Sequence, residues 1–306
     1  MTAKLHQLET AELSPRTWHD YKRTAERIVA VVGKTRLVED LAADDFTQLR
    51  AEIARTRGPV ALGNEIQRVR VVFKYAFDAG LVDKPMRYGP TFKRPQKAVL
   101  RRERQKNGSK MFESDELRKL LDLADMQMKA MILLSLNCGF GNKDIGELPI
   151  AAVSMDTGSI DFPRPKTAIE RRCPLWTESI DALRKVLAER PTPKESAAKN
   201  KVFVTKYGGA WSKTGDAEKA RSDNPISAEF RKLLKTCDLC RKGRGFYSLR
   251  HVFETIGGET KDHVAVNSIM GHVDDSMAAT YREHISDERL IAVTDFVHDW
   301  LFEAQE

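Results

Sequence analysis

Three short stretches carry residue types able to do chemistry on an anionic group. "FYSLRHVFE" (residues 246–254) sets Arg250 and His251 side by side near the start of an apolar-periodic segment. "GHVDDSMAATYREH" (residues 271–284) follows with His272 and, nine residues later, Tyr281. "PRPKT" (residues 163–167) adds Arg164 and Lys166 between two short strand-like runs. Chemistry on a phosphate backbone needs guanidinium groups for the nonbridging oxygens, because Arg presents a rigid fork of donors. It also needs a nucleophile and a proton donor for the leaving 5′-oxygen. Arg250, Tyr281, Lys166, His251 and His272 are of those types. Spacing alone does not make them converge, since a packed helical hairpin with scattered polar residues reads the same way.

The elements that must position them are mostly helical. In "SPRTWHDYKRTAERIVAVVG", Ser14 reads as an N-cap and Pro15 as the first helical residue. Trp18, Tyr21, Ala25, Ile28, Val29 and Val32 recur at helical spacing, and Gly33 stops the helix. "LAADDFTQLRAEIART" gives a second helix. "ALGNEIQRVRVVFKYAFDAGLV" gives a third, with Ile66, Val69, Phe73, Ala76 and Phe77 on one broad face. Lys22, Arg23, Arg27, Arg68, Arg70 and Lys74 fall at polar positions, where a solvated face accounts for each taken singly. Residues 93–110 then hold eight Lys or Arg against one acid, Glu103, with little apolar periodicity. Lys93, Arg94, Lys97, Arg101, Arg102, Arg104 and Lys106 make this a basic interdomain linker suited to a duplex phosphate backbone, where each neutralised phosphate releases counterions.

Beyond it, Ser114 reads as a helix cap, and "MKAMILLSLNCGFG" as the central core helix. The prolines around "PRPKT" mark an edge hairpin. "TESIDALRKVLAERP" and "ISAEFRKLLKTC" are further helices, residues 192–224 are loop-like around a short strand "KVFVT", and 248–301 is mostly helical. The domains expected are 1–92, a helical DNA-binding domain; 93–110, the linker; and 111–306, a larger helical domain with a small sheet.

Composition sets bounds on this reading. The 306 residues are 41% hydrophobic and 31% charged, with a net charge of +7 and pI near 9.1, which excludes disorder and permits polyanion binding. No apolar run reaches membrane-spanning length and no secretory h-region opens the chain, so a cytoplasmic protein without membrane association is expected. Four cysteines suggest reduced thiols rather than a disulfide framework. Cys237 and Cys240 form one C-x-x-C pair, half of a zinc set, so packed free thiols are expected and no metal.

Taken together, the boxes resemble the catalytic domain of the tyrosine recombinase (phage integrase) family. "YSLRHVFET" resembles its H-x-L-R-H-x-F-A-T box, "IMGHVDDSMAATYREH" its L-G-H-…-T-x-x-Y-x-H run, and "PRPKT" its hairpin lysine motif. The N-terminal helices are similar to the family's core-binding domain. The resemblance spans roughly residues 14–300. It implies a DNA breaking and rejoining fold, with Tyr281 as the nucleophile of a 3′-phosphotyrosyl link and Arg250 as a clamp on the scissile phosphate. Lys166 would be the acid at the 5′-oxygen, and His272 a phosphate or transition-state ligand. His251 would be a buried structural histidine beside the site. The tyrosyl ester conserves the bond energy, so no cofactor is implied, and the cations are side chains, so no metal is implied either.

Two positions depart from the family pattern. Tyr247 stands where the box opens with histidine, keeping a hydrogen-bonding group there. More seriously, the turn resembling T-G-L-R-P-S-D-I-L-A-L reads C-G-F-G-N-K-D-I-G-E-L, so the family's first arginine is Gly141. A preorganised donor at a developing charge is worth about 3 kcal/mol. Arg164, Lys143, Arg171 and Arg172 are the substitutes within reach in sequence, with Arg164 or Lys143 preferred and Arg171 and Arg172 read mainly as backbone-binding or solvent residues.

The expected function is therefore site-specific recombination of duplex DNA. The competing expectations are a DNA-binding protein on the same scaffold that has lost catalysis with the arginine, and a type IB topoisomerase. The tail from Leu290 to Leu301 is apolar at helical spacing. It reads either as a helix folded back on its own domain or, as in recombinases, as one exchanged with a neighbour in a dimer or tetramer on DNA.

Overall fold

The computed structural model describes residues 1–212 and 224–303. The chain divides into two compact units, one over Met1–Ser109 and one that holds the described residues from Lys110 onward. The expected loop over 192–224 thus lies partly outside the described residues.

The first unit is helical throughout: α1 (Thr2–Glu9), α2 (Pro15–Val32), α3 (Ala43–Thr56), α4 (Pro59–Asp78) and α5 (Lys97–Asn107). Ser14 caps α2 by accepting the N–H of Thr17 at 3.2 Å, with Pro15 where its missing N–H costs nothing. Phe46, Leu49 and Ile53 of α3 and Ile66, Val69 and Phe73 of α4 bury a common core with Phe92. Phe77 and Val29, expected on inward faces, are exposed, because each lies at the edge of its helix's apolar stripe. Glu65 is buried and serves Thr24, Arg27 and Arg68, so those two arginines are structural counter-charges. Within the basic segment, Lys97–Asn107 forms helix α5. Lys, Arg, Gln, Leu, Ala and Glu are strong helix formers, so propensity supplies what apolar periodicity does not. Lys93, Arg94, Lys97, Arg101, Arg102, Arg104 and Lys106 are all exposed.

The second unit is built around α7 (Met126–Asn137), buried over nearly its whole length. Asp125 caps it by accepting the Met128 N–H. Around it stand α6 (Ser114–Leu123), α8 (Asn142–Glu147), α9 (Thr177–Ala188), α10 (Pro225–Thr236), α11 (Tyr247–Gly257), α12 (His263–Met270), α13 (Met277–Thr280) and α14 (Asp287–Phe302). Ser114 is the first helical residue rather than the cap, and the Glu113 N–H is taken instead by Glu116 at 3.0 Å. Strands β1 (Val153–Ser154), β2 (Ser159–Asp161) and β3 (Arg172–Pro174) form an antiparallel sheet in that order, Ile160 facing Cys173. The β2–β3 hairpin therefore places β2 in the middle of the sheet and β3 at the edge. "KVFVT" forms isolated bridges rather than a strand.

Asn137, fully buried, locks the end of α7 to the sheet side. Its amide donates to Pro174 O and accepts the N–H of Trp176, both at 2.9 Å. Trp176 in turn donates from its indole to Thr294 O of α14. Leu290, Val293, Val297 and Leu301 of α14 are buried in the core of the chain's own second unit, so the tail folds back on itself here. Cys237 is buried, as expected, but Cys240 is exposed, because the turn after α10 carries it outward. Among the described residues no helix is long and apolar enough to cross a membrane, and no three His, Cys, Asp or Glu side chains group as a metal site.

Leu134, fully buried at the centre of α7, sets the stability scale. Leu134→Ala is expected to lower the unfolding free energy in urea by about 2–5 kcal/mol, whereas Phe77→Ala, on the surface, should change it by about 0.5 kcal/mol or less.

Candidate active site

The site grows from two turns that only glycine permits. Gly139 ends α7 with φ +60°, and a Cβ there would stand 2.9 Å from the Phe253 ring and 3.0 Å from Met270. That approach delivers the Gly139 carbonyl to α11. Gly271 ends α12 with φ +62°, and a Cβ there would stand 3.0 Å from Arg164 Cβ. The His272 N–H bonds back to Asn267 O at 2.9 Å and the Gly271 N–H to Ser268 O at 3.0 Å. The carbonyls of Met270 and Gly271 are left at the negative end of α12, aimed at cations.

Arg250 takes up the first of these. Its Nη2 donates to Met270 O at 2.7 Å and its Nη1 to Gly139 O, and the residue is 2% exposed. Burial, with Arg164 and Arg171 nearby, pulls its pKa below the ordinary arginine value; Asp144 and Tyr247 act the other way. It remains a guanidinium at neutral pH. Arg164 donates from Nη1 to Gly271 O at 3.2 Å, and the Thr167 hydroxyl donates to the same oxygen at 3.2 Å. The hairpin tip is thereby tied to the end of α12. Lys166, between them in the sequence, is exposed.

His272 lies half-buried with Nδ1 3.1 Å from Asn267 Oδ1 and 3.7 Å from Glu254 Oε2. Two oxygen acceptors at Nδ1 favour the proton there and leave Nε2 as a lone pair. Burial, then Arg250, lower its pKa. His251 is exposed, not buried as the resemblance implied: one residue after Arg250 on a helix, its side chain points to another face. Its pKa is lowered by partial desolvation and then by Lys110 and Arg250. Tyr247 meets it edge-on at 5.5 Å between ring centres.

The four candidate substitutes separate cleanly. Arg171, expected in solvent or on a DNA backbone, is instead buried: Nε donates to Phe162 O and Nη2 to Asp144 Oδ1, each at 2.8 Å, with the guanidinium over the Phe140 ring at 4.3 Å. Its neighbour Arg172 faces the other side of β3 and pairs with Asp161 and Asp287. Lys143 is exposed, 3.5 Å from Pro165 O and 3.8 Å from Glu147. Of the four, only Arg164 is part-exposed with no carboxylate partner among the described residues. Tyr281 is not brought against this cluster. It is 78% exposed and makes no side-chain hydrogen bond among the described residues, while Arg282 beside it is held by Asp274 at 3.2 Å. Asp144, Asn267 and Thr167 went unread in the sequence. Asp144 alone left a signal there, a capping carboxylate three residues after Gly141, whose N–H it accepts at 2.7 Å.

A buried guanidinium, a second at the hairpin and an imidazole of lowered pKa have the charge and donors that an anionic ester would need, and Lys166 stands exposed at the hairpin tip. The sequence profile of the phage integrase family matches residues 110–288, and the chain belongs to that family. Its fold is also that of solved tyrosine recombinases. The Tn1549 transposon integrase in complex with transposon right end DNA is 13% identical, covering 96% of this chain and 98% of its own, with a TM-score of 0.68. A lambda integrase dimer bound to a COC′ core site is also 13% identical, covering 93% and 97%, with a TM-score of 0.66. No curated protein sequence matches the chain.

His251 and His272 both have folded-state pKa values below that of a free imidazole, so protonation favours the unfolded chain. Their contribution to stability is complete above about pH 6.5 and is lost as the pH falls through their lower folded values. Urea midpoints taken from pH 7.5 down to 5 should fall, and the fall should shrink in His251→Asn/His272→Asn. An equal fall in that variant would assign it to other groups.

Proposed function

We propose that this protein is a site-specific recombinase that cuts and rejoins duplex DNA through a covalent 3′-phosphotyrosyl intermediate. The observation that carries this reading is Arg250: a buried guanidinium bonded, among the described residues, only to carbonyl oxygens, its charge unspent, within the boxes that mark the family. The Tyr281 oxygen attacks the scissile phosphorus, the P–O5′ bond breaks, and Lys166 delivers the proton that the departing 5′-oxygen needs. The phenol proton leaves to a base, and His272 Nε2, a free lone pair on a neutral ring, is a suitable one. Arg250 steadies the charge that builds on the nonbridging oxygens. Reversal with a different 5′-hydroxyl rejoins the strand, and no step consumes a nucleotide or a metal.

The exposed cations Lys93, Arg94, Lys97, Arg101, Arg102, Arg104 and Lys106 would hold the duplex backbone, in the cytoplasm where such a substrate lies. Attack requires Tyr281 to come to Arg250. The relatives are DNA-bound, one of them as a dimer, and assembly on DNA, with or without exchange of α14, is the corresponding proposal here.

The test is covalent capture from a random-sequence library of nicked duplexes, washed under denaturing conditions. The wild-type protein should retain DNA whose recovered ends share one sequence, and Tyr281→Phe should retain none. DNA held under native conditions by both proteins, with no denaturation-resistant adduct from either, would identify the binding-only alternative.

A further inference from the structure

Gly141 offers a phosphate no side chain, and its neighbourhood shows what has taken over. A Cβ at Gly141 would stand 3.2 Å from Tyr247 Cε2 and 3.3 Å from Asp144 Oδ2, so the Tyr247 ring lies over the glycine. Behind the same turn, Asp144 accepts the Gly141 N–H on one oxygen and Arg171 on the other. Arg171, just before β3, is thus fastened through Asp144 to the backbone of residue 141. Its side chain is fully buried and its Nη1 has no hydrogen-bond partner among the described residues. On the other side its Cδ would lie 3.3 Å from a Cβ at Gly271, the glycine whose carbonyl holds Arg164. Arg164, Arg171 and Arg250 therefore share one region, where each of the first two is felt at the third, and among the described residues Asp144 is the one carboxylate bonded to any of them. Like charges at such range repel strongly in a partly desolvated setting. A bound anion removes that penalty.

We propose that Arg164 and Arg171 together replace the guanidinium missing at Gly141, Arg164 contacting the scissile phosphate and Arg171 acting behind it as a positioning residue through Asp144. The proposal rests on the recombinase reading. It sets aside Lys143, which faces Glu147, and Arg172, which is spent between Asp161 and Asp287.

The experiment uses the nicked duplex recovered by covalent capture, made with either a phosphate or a methylphosphonate at the scissile position. A methylphosphonate lacks the nonbridging negative charge, so a variant that has lost only charge stabilisation should regain ground on it. On the phosphate, Arg164→Gln should slow single-turnover cleavage about 100-fold with DNA affinity nearly unchanged, and on the methylphosphonate its deficit relative to wild type should shrink about tenfold or more. Arg171→Gln/Asp144→Asn, which removes both buried charges together, should show a smaller deficit that shrinks likewise. If that pair does not fold, Arg171→Lys should show the same partial, methylphosphonate-sensitive loss. Lys143→Gln should cleave like wild type. Wild-type cleavage by Arg164→Gln, a deficit equal on both substrates, or a large loss in Lys143→Gln would overturn the proposal and leave the recombinase reading standing. Absence of any adduct from the wild-type protein would overturn both.

Discussion

The second unit is organised by the burial of one charge. Arg250 sits in the interior with its hydrogen bonds spent on two carbonyls, Gly139 O and Met270 O. Removing a guanidinium from water costs several kcal/mol unless its donors are satisfied. Those two carbonyls must therefore arrive from two different helix ends at fixed positions. This requirement explains why α7 and α12 both finish in left-handed glycines, and why the Gly139 turn lies so close to Phe253 that no side chain fits. The apolar body of α7 and the Asn137 and Trp176 bonds supply the stiffness that holds those turns in place.

Partner identity separates the arginines that build the protein from those that wait for something. Arg27 and Arg68 meet Glu65, Arg172 meets Asp161 and Asp287, and Arg289 takes both oxygens of Asp262. Each is neutralised within the fold. Arg164 and Arg250 are bonded to peptide oxygens, which satisfy donors but leave a full positive charge. The cations of α5 are likewise uncommitted, but exposed, and exposed charges act over a Debye length in a salt-dependent way. A buried guanidinium such as Arg250 is screened far less. The chain thus presents two grades of positive charge, one broad and one concentrated.

Much of this was legible in the residues. Ser14 and Pro15 announced α2, the apolar run announced α7, and the R-H, G-H and P-R-P-K-T boxes named Arg250, His272 and Lys166. Two of the misreadings share one physical source: neighbours in sequence were treated as neighbours in space. Arg250 and His251 are adjacent on a helix, where one step turns a side chain by about 100°, so one is interior and the other solvent-facing. Arg171 immediately precedes β3 and Arg172 opens it, yet one is buried against Asp144 and the other pairs with Asp161 and Asp287 on the surface. The helix in the basic segment had no signal of this kind. It rests on propensity, which leaves no apolar period to find.

The two departures from the family pattern turn out to be a single structural fact. Tyr247 and Gly141 lie far apart in the sequence, on α11 and at the head of α8, and no spacing could connect them. In the fold the phenol ring of one covers the hydrogen of the other, so a long side chain at 141 and a ring at 247 compete for the same volume. Once the ring is in place, a guanidinium can reach the region only from elsewhere. The hairpin is the element already held there, because Arg164 and Thr167 bind Gly271 O and Arg171 binds Asp144. The proposed replacement on the hairpin thus follows from the missing arginine and the unexpected tyrosine alike.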